Sequence, residues 1–119
     1  MFQKFELSAI HTEIDEDLKK YVTKKIGSLD KYVPLKARKS AHLDVHLKET
    51  KPINKTSFHC EVTLYLPQQT IVIKEASLNM YSAIDITEAK LKLALKKYKD
   101  IHASNKNRRH LIARFKRNS

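Results

Sequence analysis

Apolar residues recur along this chain with two different periods, and the switches between them mark out the elements. "FQKFELS" (2–8) alternates, with Phe5 and Leu7 to one side, and reads as a strand. Ile14, Leu18, Val22, Ile26 and Leu29 then fall at helical spacing, which predicts a helix over 13–30. Thr12 is placed as its N-cap, with Asp15 three residues on as in a weak capping box. The first turn is acidic and the later turns carry lysine, the order that suits the helix dipole. Gly27 sits where it can loosen or end the last turn, and "PLKARKS" (34–40) reads as a basic loop.

Alternation returns in "AHLDVHLKE" (41–49), with Leu43, Val45 and Leu47 inward and His42, Asp44, His46 and Lys48 outward. "TKPINKT" is a turn. "SFHCEVTLYL" (57–66) repeats the strand pattern with Phe58, Cys60, Val62, Leu64 and Leu66 facing in, "PQQ" turns, and "TIVIKEA" (70–76) is a fourth strand. Helical spacing then returns over 79–100 through Ile84, Leu91, Leu95 and Tyr98. The order strand, helix, three strands, helix predicts a two-layer α+β fold, β-α-β-β-β-α. Its last three strands form an antiparallel meander, and a crossover, normally right-handed, joins the first strand to the second. One apolar face per strand puts both helices on one side of the four-stranded sheet and water on the other.

Charge changes the picture. The 119 residues carry a formal charge of +11 and a pI near 9.8, which for so small a domain points to a polyanionic partner, nucleic acid before anionic membrane. All 13 acidic residues lie within 1–100, whereas 101–119 hold Lys106, Arg108, Arg109, Arg114, Lys116 and Arg117 with no acid. The expected organisation is one domain over 1–102 and a basic flexible tail over 103–119, in which "HLIARF" is long enough for a short helix. A single cysteine, Cys60, suits a reducing compartment, and no apolar run nears the roughly 20 residues of a membrane span. With no signal-peptide pattern at the start, the expectation is a cytoplasmic protein.

The second helix shows where the charge goes. Lys90, Lys92, Lys96, Lys97 and Lys99 follow one another with no acid between Glu88 and Asp100. An ordinary solvated helix mixes signs, because like charges three or four residues apart repel. At about 100° per residue, Lys92, Lys96 and Lys99 fall on one flank and Lys90 and Lys97 on the other. On the first helix Lys19, Lys20, Lys24 and Lys31 lie outside the apolar arc, while Lys25 falls within it and has to snorkel out. Lysine is a point charge and only Arg38 precedes the tail, so contacts to phosphate backbone are expected rather than reading of base edges. Double-stranded RNA-binding domains, which read shape and phosphates, are the precedent for a helix–sheet domain of this kind. Ile86 and Leu93 sit opposite the buried stripe, where an incidental reading is favoured over contact with the tail or a partner.

Other chemistries find little support. His42, His46, His59 and Glu61 share the outward face of neighbouring strands, yet no motif with close ligand spacing is present, and no metal or other cofactor is expected. Cys60 faces the core and His59 faces away from it, which leaves no Cys–His nucleophilic pair, and one glycine cannot make a phosphate-cradling loop. No small-molecule substrate and no enzyme activity are expected. A general RNA- or DNA-binding or transcription-modulating module is the alternative within binding proteins. Attachment to a membrane surface through the tail is disfavoured for want of a clear amphipathic helix.

Two stretches together, "LSAIHTEIDEDLKKYVTKKIGSLDKYV" and "LNMYSAIDITEAKLKLALKKYK", resemble the ribosome hibernation-promoting factor and protein Y (ribosome-associated inhibitor A) family. The similarity runs from residue 2 to about 100, and its most specific part is "MYSAID" (80–85) followed by Lys90, Leu91, Leu95 and Lys97. The resemblance implies the same fold and a non-enzymatic role. Such a protein binds the small ribosomal subunit in the channel for messenger and transfer RNA, between head and body, and silences and preserves idle ribosomes in stress or stationary phase. It implies ribosomal RNA contacts at Lys19, Lys25, Lys90 and Lys97; Lys24, Lys92, Lys96, Lys99, Arg108 and Arg109 join them on charge alone. The chain departs from the family pattern at Ser28, Glu88 and Leu93. A short basic tail suits the short hibernation-promoting type, a monomer when off the ribosome.

Overall fold

Strict alternation from Leu43 to Leu47 and from Cys60 to Leu66 produces two central strands that are wholly buried on one face. The computed structural model describes residues 2–51 and 56–102. It contains β1 (Lys4–Ile10), α1 (Glu16–Lys25), a 3-10 turn (Gly27–Tyr32), α2 (Leu35–Arg38), β2 (His42–Thr50), β3 (Ser57–Leu66), β4 (Gln69–Ser77) and α3 (Met80–His102). Strand order is β1-β2-β3-β4, with β1 parallel to β2 and the other pairs antiparallel. Register aligns Phe5, Leu43, Leu64 and Ile71 in one inward row and Leu7, Val45, Val62 and Ile73 in the next. A third row reads Ala9, Leu47, Cys60 and Glu75, so a carboxylate ends an otherwise apolar line at the sheet edge.

This is the α+β topology expected from the pattern, with shifts that have local causes. Asp15, not Thr12, caps α1, its carboxylate accepting from the Leu18 N–H at 2.7 Å, and the helix therefore starts at Glu16 rather than 13. At the other end the Leu29 N–H donates to Ile26 carbonyl at 3.1 Å, tightening the chain into the 3-10 turn after the buried Gly27. Basic "PLKARKS" is not all loop, because one turn of helix follows Pro34, whose carbonyl accepts from Ala37 and Arg38. The first strand begins two residues later than expected because Phe2 is buried, its N–H donating to Gly27 carbonyl at 3.3 Å. Between β3 and β4 the hairpin loop is Pro67 and Gln68, with Gln68 in the left-handed region at φ 69°, a conformation that costs a side-chain-bearing residue energy. The turn at 50–56 falls partly, and the tail at 103–119 wholly, outside the described residues.

On α3 the residues Met80, Ala83, Ile84, Thr87, Leu91, Leu95 and Tyr98 are buried on one side. They meet the inward rows of β3 and β4, while Leu18, Val22, Ile26, Leu29 and Val33 complete the same core. Thr87 is its one buried polar side chain among the described residues, and its hydroxyl donates to the Ala83 carbonyl at 2.8 Å, which removes the cost of burying it. Tyr98 donates to the Pro67 carbonyl at 3.0 Å and so ties the end of α3 to the β3–β4 hairpin. Leu91 is wholly buried and Leu93 exposed. In equilibrium denaturation Leu91→Ala is expected to lose about 2–5 kcal/mol and Leu93→Ala less than about 0.5 kcal/mol; similar losses in the two variants would contradict this placement of the stripe.

Candidate nucleic-acid interface

Contacts of α1 and the 3-10 turn with α3 rise in step along both elements. Tyr21 meets Tyr81 edge-to-face at 4.8 Å and donates to the Asp85 carboxylate, and Lys25 lies 3.8 Å from Glu88. Further on, the Lys92 ammonium stands 5.2 Å over the Tyr32 ring, which Lys31 also approaches at 5.4 Å. The helices therefore run parallel, side by side, with a polar seam between them.

That seam perturbs two phenols in opposite directions. Donation to Asp85, helped by partial desolvation, pushes Tyr21 up from 10.0 to about 12. Hydrogen bonding from Lys92 is the main cause that lowers Tyr32, against a smaller desolvation effect.

The lysines singled out from the sequence occupy three places. Lys19 and Lys24, with Lys20 and Lys31, surround an open depression of about 880 Å³ beside α1, with Glu16 and Asp30 also on its wall. Lys25 and Lys92 are half-buried in or beside the seam, as snorkelling required for Lys25, and Lys96 acts on Tyr32 from the same flank of α3. Lys90 lies on the other flank, where it pairs with Glu75 at the end of the third inward row, and Lys97 follows two turns later. Lys96, Lys97 and Lys99 are exposed. Thus Lys25 and Lys90 are drawn to opposite sides of α3. Among the described residues Lys19, Lys24, Lys96, Lys97 and Lys99 make no ion pair. Arg108 and Arg109 lie outside the described residues.

Sequence reasoning missed the carboxylates. Glu75 on β4 partly neutralises Lys90, and Glu88 on α3 partly neutralises Lys25 on α1, pairings between elements that a scan along either helix alone does not reveal. A usable signal was present: Tyr21 and Lys25, four apart on α1, match Asp85 and Glu88, three apart on α3, as two complementary rungs. Arg38 is engaged by the backbone, its Nε donating to the Val33 carbonyl at 2.9 Å and its Nη2 to that of Lys31 at 3.1 Å. It holds the end of the 3-10 turn.

On the outward sheet face His46 stands directly opposite Glu61, and both line one depression with His59, but each has its own partner. His46 is hydrogen-bonded to Ser8, His59 to Thr50 at 3.0 Å, and Glu61 lies 3.6 Å from Lys74. His42 instead joins Glu6 and Asp44. Cys60 is buried, and burial pushes its thiol up to about 11, against a smaller opposing effect of Thr87.

A mixed sheet carrying two parallel helices with lysine on their flanks defines a small basic α+β domain. Residues 5–102 match the family described as "Sigma 54 modulation protein / S30EA ribosomal protein", and the chain belongs to that family. It is 32% identical over 96 residues to the ribosome hibernation promotion factor of Lactococcus lactis subsp. cremoris (strain MG1363), covering 81% of this chain and 49% of that protein. With the factor of the same name from Staphylococcus aureus (strain COL) it shares 28% over 96 residues, 81% of this chain and 48% of the other. The chain thus spans about half the length of these two relatives. The fold is similar to the Thermus thermophilus protein Y N-terminal domain (TM-score 0.60, 22% identity, 78% of this chain and 94% of that one). It is also similar to a ribosomal subunit interface protein from Coxiella burnetii (TM-score 0.66, 22% identity, 82% and 98%). No helix among the described residues is long and apolar enough to cross a membrane.

The opposed phenol shifts are open to titration. In an ultraviolet pH titration Tyr32 is expected to ionise early and Tyr21 last. Asp85→Asn should bring Tyr21 down towards 10.0, and Tyr21→Phe should remove one phenol from the late phase, leaving Tyr98, which burial also raises. Folding raises this pKa, so the stability it contributes is whole below pH 10.0 and is lost as pH climbs through about 12. A late phase of unchanged amplitude in Tyr21→Phe would overturn the assignment.

Proposed function

We propose that this chain is a ribosome hibernation factor that occupies the messenger and transfer RNA channel of the small ribosomal subunit, blocks translation and preserves idle ribosomes under stress. Its partners are ribosomal RNA and the assembled ribosome, and its localisation is cytoplasmic and ribosome-associated. It acts by occupancy and catalyses no reaction. Off the ribosome it is a monomer. The observation that carries this reading is the helical layer, where lysines flank two parallel helices on a domain whose family and relatives bear ribosomal names.

Lysine suits such a surface because phosphate contact releases condensed counterions and needs no fixed donor geometry. Lys19, Lys24, Lys96, Lys97 and Lys99 offer exposed ammoniums to the phosphates directly. Lys25, Lys90 and Lys92 are held by Glu88, Glu75 and Tyr32, so they meet RNA by exchanging one partner for another. The hold on Lys90 and Lys25 is modest, since each ammonium still reaches solvent and can exchange its partner. Arg108 and Arg109 extend the same chemistry into the tail.

Purified small subunits supply the test. The parent chain should co-sediment with them and be displaced by messenger or transfer RNA, with affinity falling steeply as salt rises. Reversal of Lys19, Lys24, Lys96 and Lys97 to Glu should abolish co-sedimentation while the circular dichroism spectrum is retained. Single Lys→Ala changes should each reduce the salt slope by about one. A folded quadruple variant that still co-sediments and still inhibits translation would refute the assigned surface. Displacement by any RNA alike, with no preference for subunits, would favour a general nucleic-acid-binding module instead.

A further inference from the structure

The helix-free face of the sheet carries a second cluster that the lysine surface does not use. Glu6 on β1 stands directly opposite Asp44 on the parallel β2, and Lys4 opposite His42. The ligand atoms of Glu6, His42 and Asp44 all lie within 4.8 Å of one another. Two carboxylates facing each other across a strand pair repel. Asp44 Oδ1 is moreover buried and accepts no hydrogen bond, although the His42 Nε2 is only 2.8 Å away. The two atoms are close enough for an ion pair, yet that oxygen accepts no hydrogen bond, and a buried carboxylate oxygen left without a donor is costly. A cation between the three side chains relieves both problems.

We infer that Glu6, His42 and Asp44 form a binding site for a divalent first-row transition-metal ion, zinc being the simplest probe. Bonds of about 2.0–2.2 Å place neighbouring ligand atoms about 3–3.5 Å apart, so small rotations of exposed Glu6 and half-buried His42 complete the set. One imidazole and two carboxylates suit zinc ahead of manganese or iron in the ordinary affinity order, and three protein ligands leave positions for water. Tyr65 lies opposite His42 in the register, with its ring 5.5 Å from the imidazole, and limits how far that ring can swing. Lys4 is the competing counter-charge on the same face. The ion would clip edge strand β1 to β2 from the side away from the helices, so the site stands independently of the ribosome proposal.

The test uses the full chain, stripped with a chelator and titrated calorimetrically with zinc chloride. One zinc per chain is expected, with affinity falling by roughly tenfold or more in Glu6→Gln and in His42→Ala. His46→Ala, on the same face but bonded to Ser8, should bind as the parent does. Because His42→Ala can disturb the sheet, Glu6→Gln carries the decision, together with NMR: zinc should shift the His42 ring signals and leave those of His46 and His59 in place. Zinc should raise the melting temperature of the parent but not of Glu6→Gln. No saturable binding, or binding indifferent to both ligand variants, would overturn the site and leave adventitious zinc on histidines elsewhere.

Discussion

The contact on which the molecule depends is the seating of the α3 stripe on the inward rows of β3 and β4. Met80, Ile84, Leu91, Leu95 and Tyr98 bury one side of a helix of 23 residues. Burial at about 25 cal/mol per Å² of apolar surface makes this the strongest orienting force on the helix. Once the rotation of α3 about its axis is set, every polar residue on it has a fixed direction. Lys92 goes to Tyr32, Asp85 to Tyr21 and Lys90 to Glu75. The charged surface is thus a by-product of hydrophobic register. A cavity under Leu91 would blur the basic flanks without touching a lysine.

The seam between the helices performs a different task. An edge-to-face ring pair, a phenol–carboxylate bond and an ion pair are each modest, and none would hold two helices together in water. They choose how the helices lie once the core has brought them close. The same seam keeps Asp85 and Glu88 occupied, so that acids within a basic layer do not stand bare. Arg38, turned to the Val33 and Lys31 carbonyls, belongs to this scaffold as well.

Strand order, the two long helices and the buried stripe were legible in the sequence because period-2 and period-3.6 patterns are local and strong. Helix ends were less so: Thr12 and Asp15 are both competent caps, and only the geometry that places Asp15 on the Leu18 N–H decides between them. The one-turn helix after Pro34 is too short to show a period. Which lysines are exposed was also legible, from angle alone. Which of them are already engaged was not, because Glu75 is 15 residues from Lys90 and Glu88 is on another helix from Lys25. The Glu6–His42–Asp44 cluster escaped for the same reason, since a parallel pairing through a crossover joins residues that have no common motif.

Cys60 has a consequence of its own. It is the one cysteine in these 119 residues, and it sits in the third inward row beneath α3 with its pKa near 11. The thiolate is the form that attacks peroxides and disulfides, and burial disfavours it here. Thiol chemistry at Cys60 is therefore held back while the sheet is folded. Covalent pairing of two copies through Cys60, or its capture by a small disulfide, would first require the sheet to open.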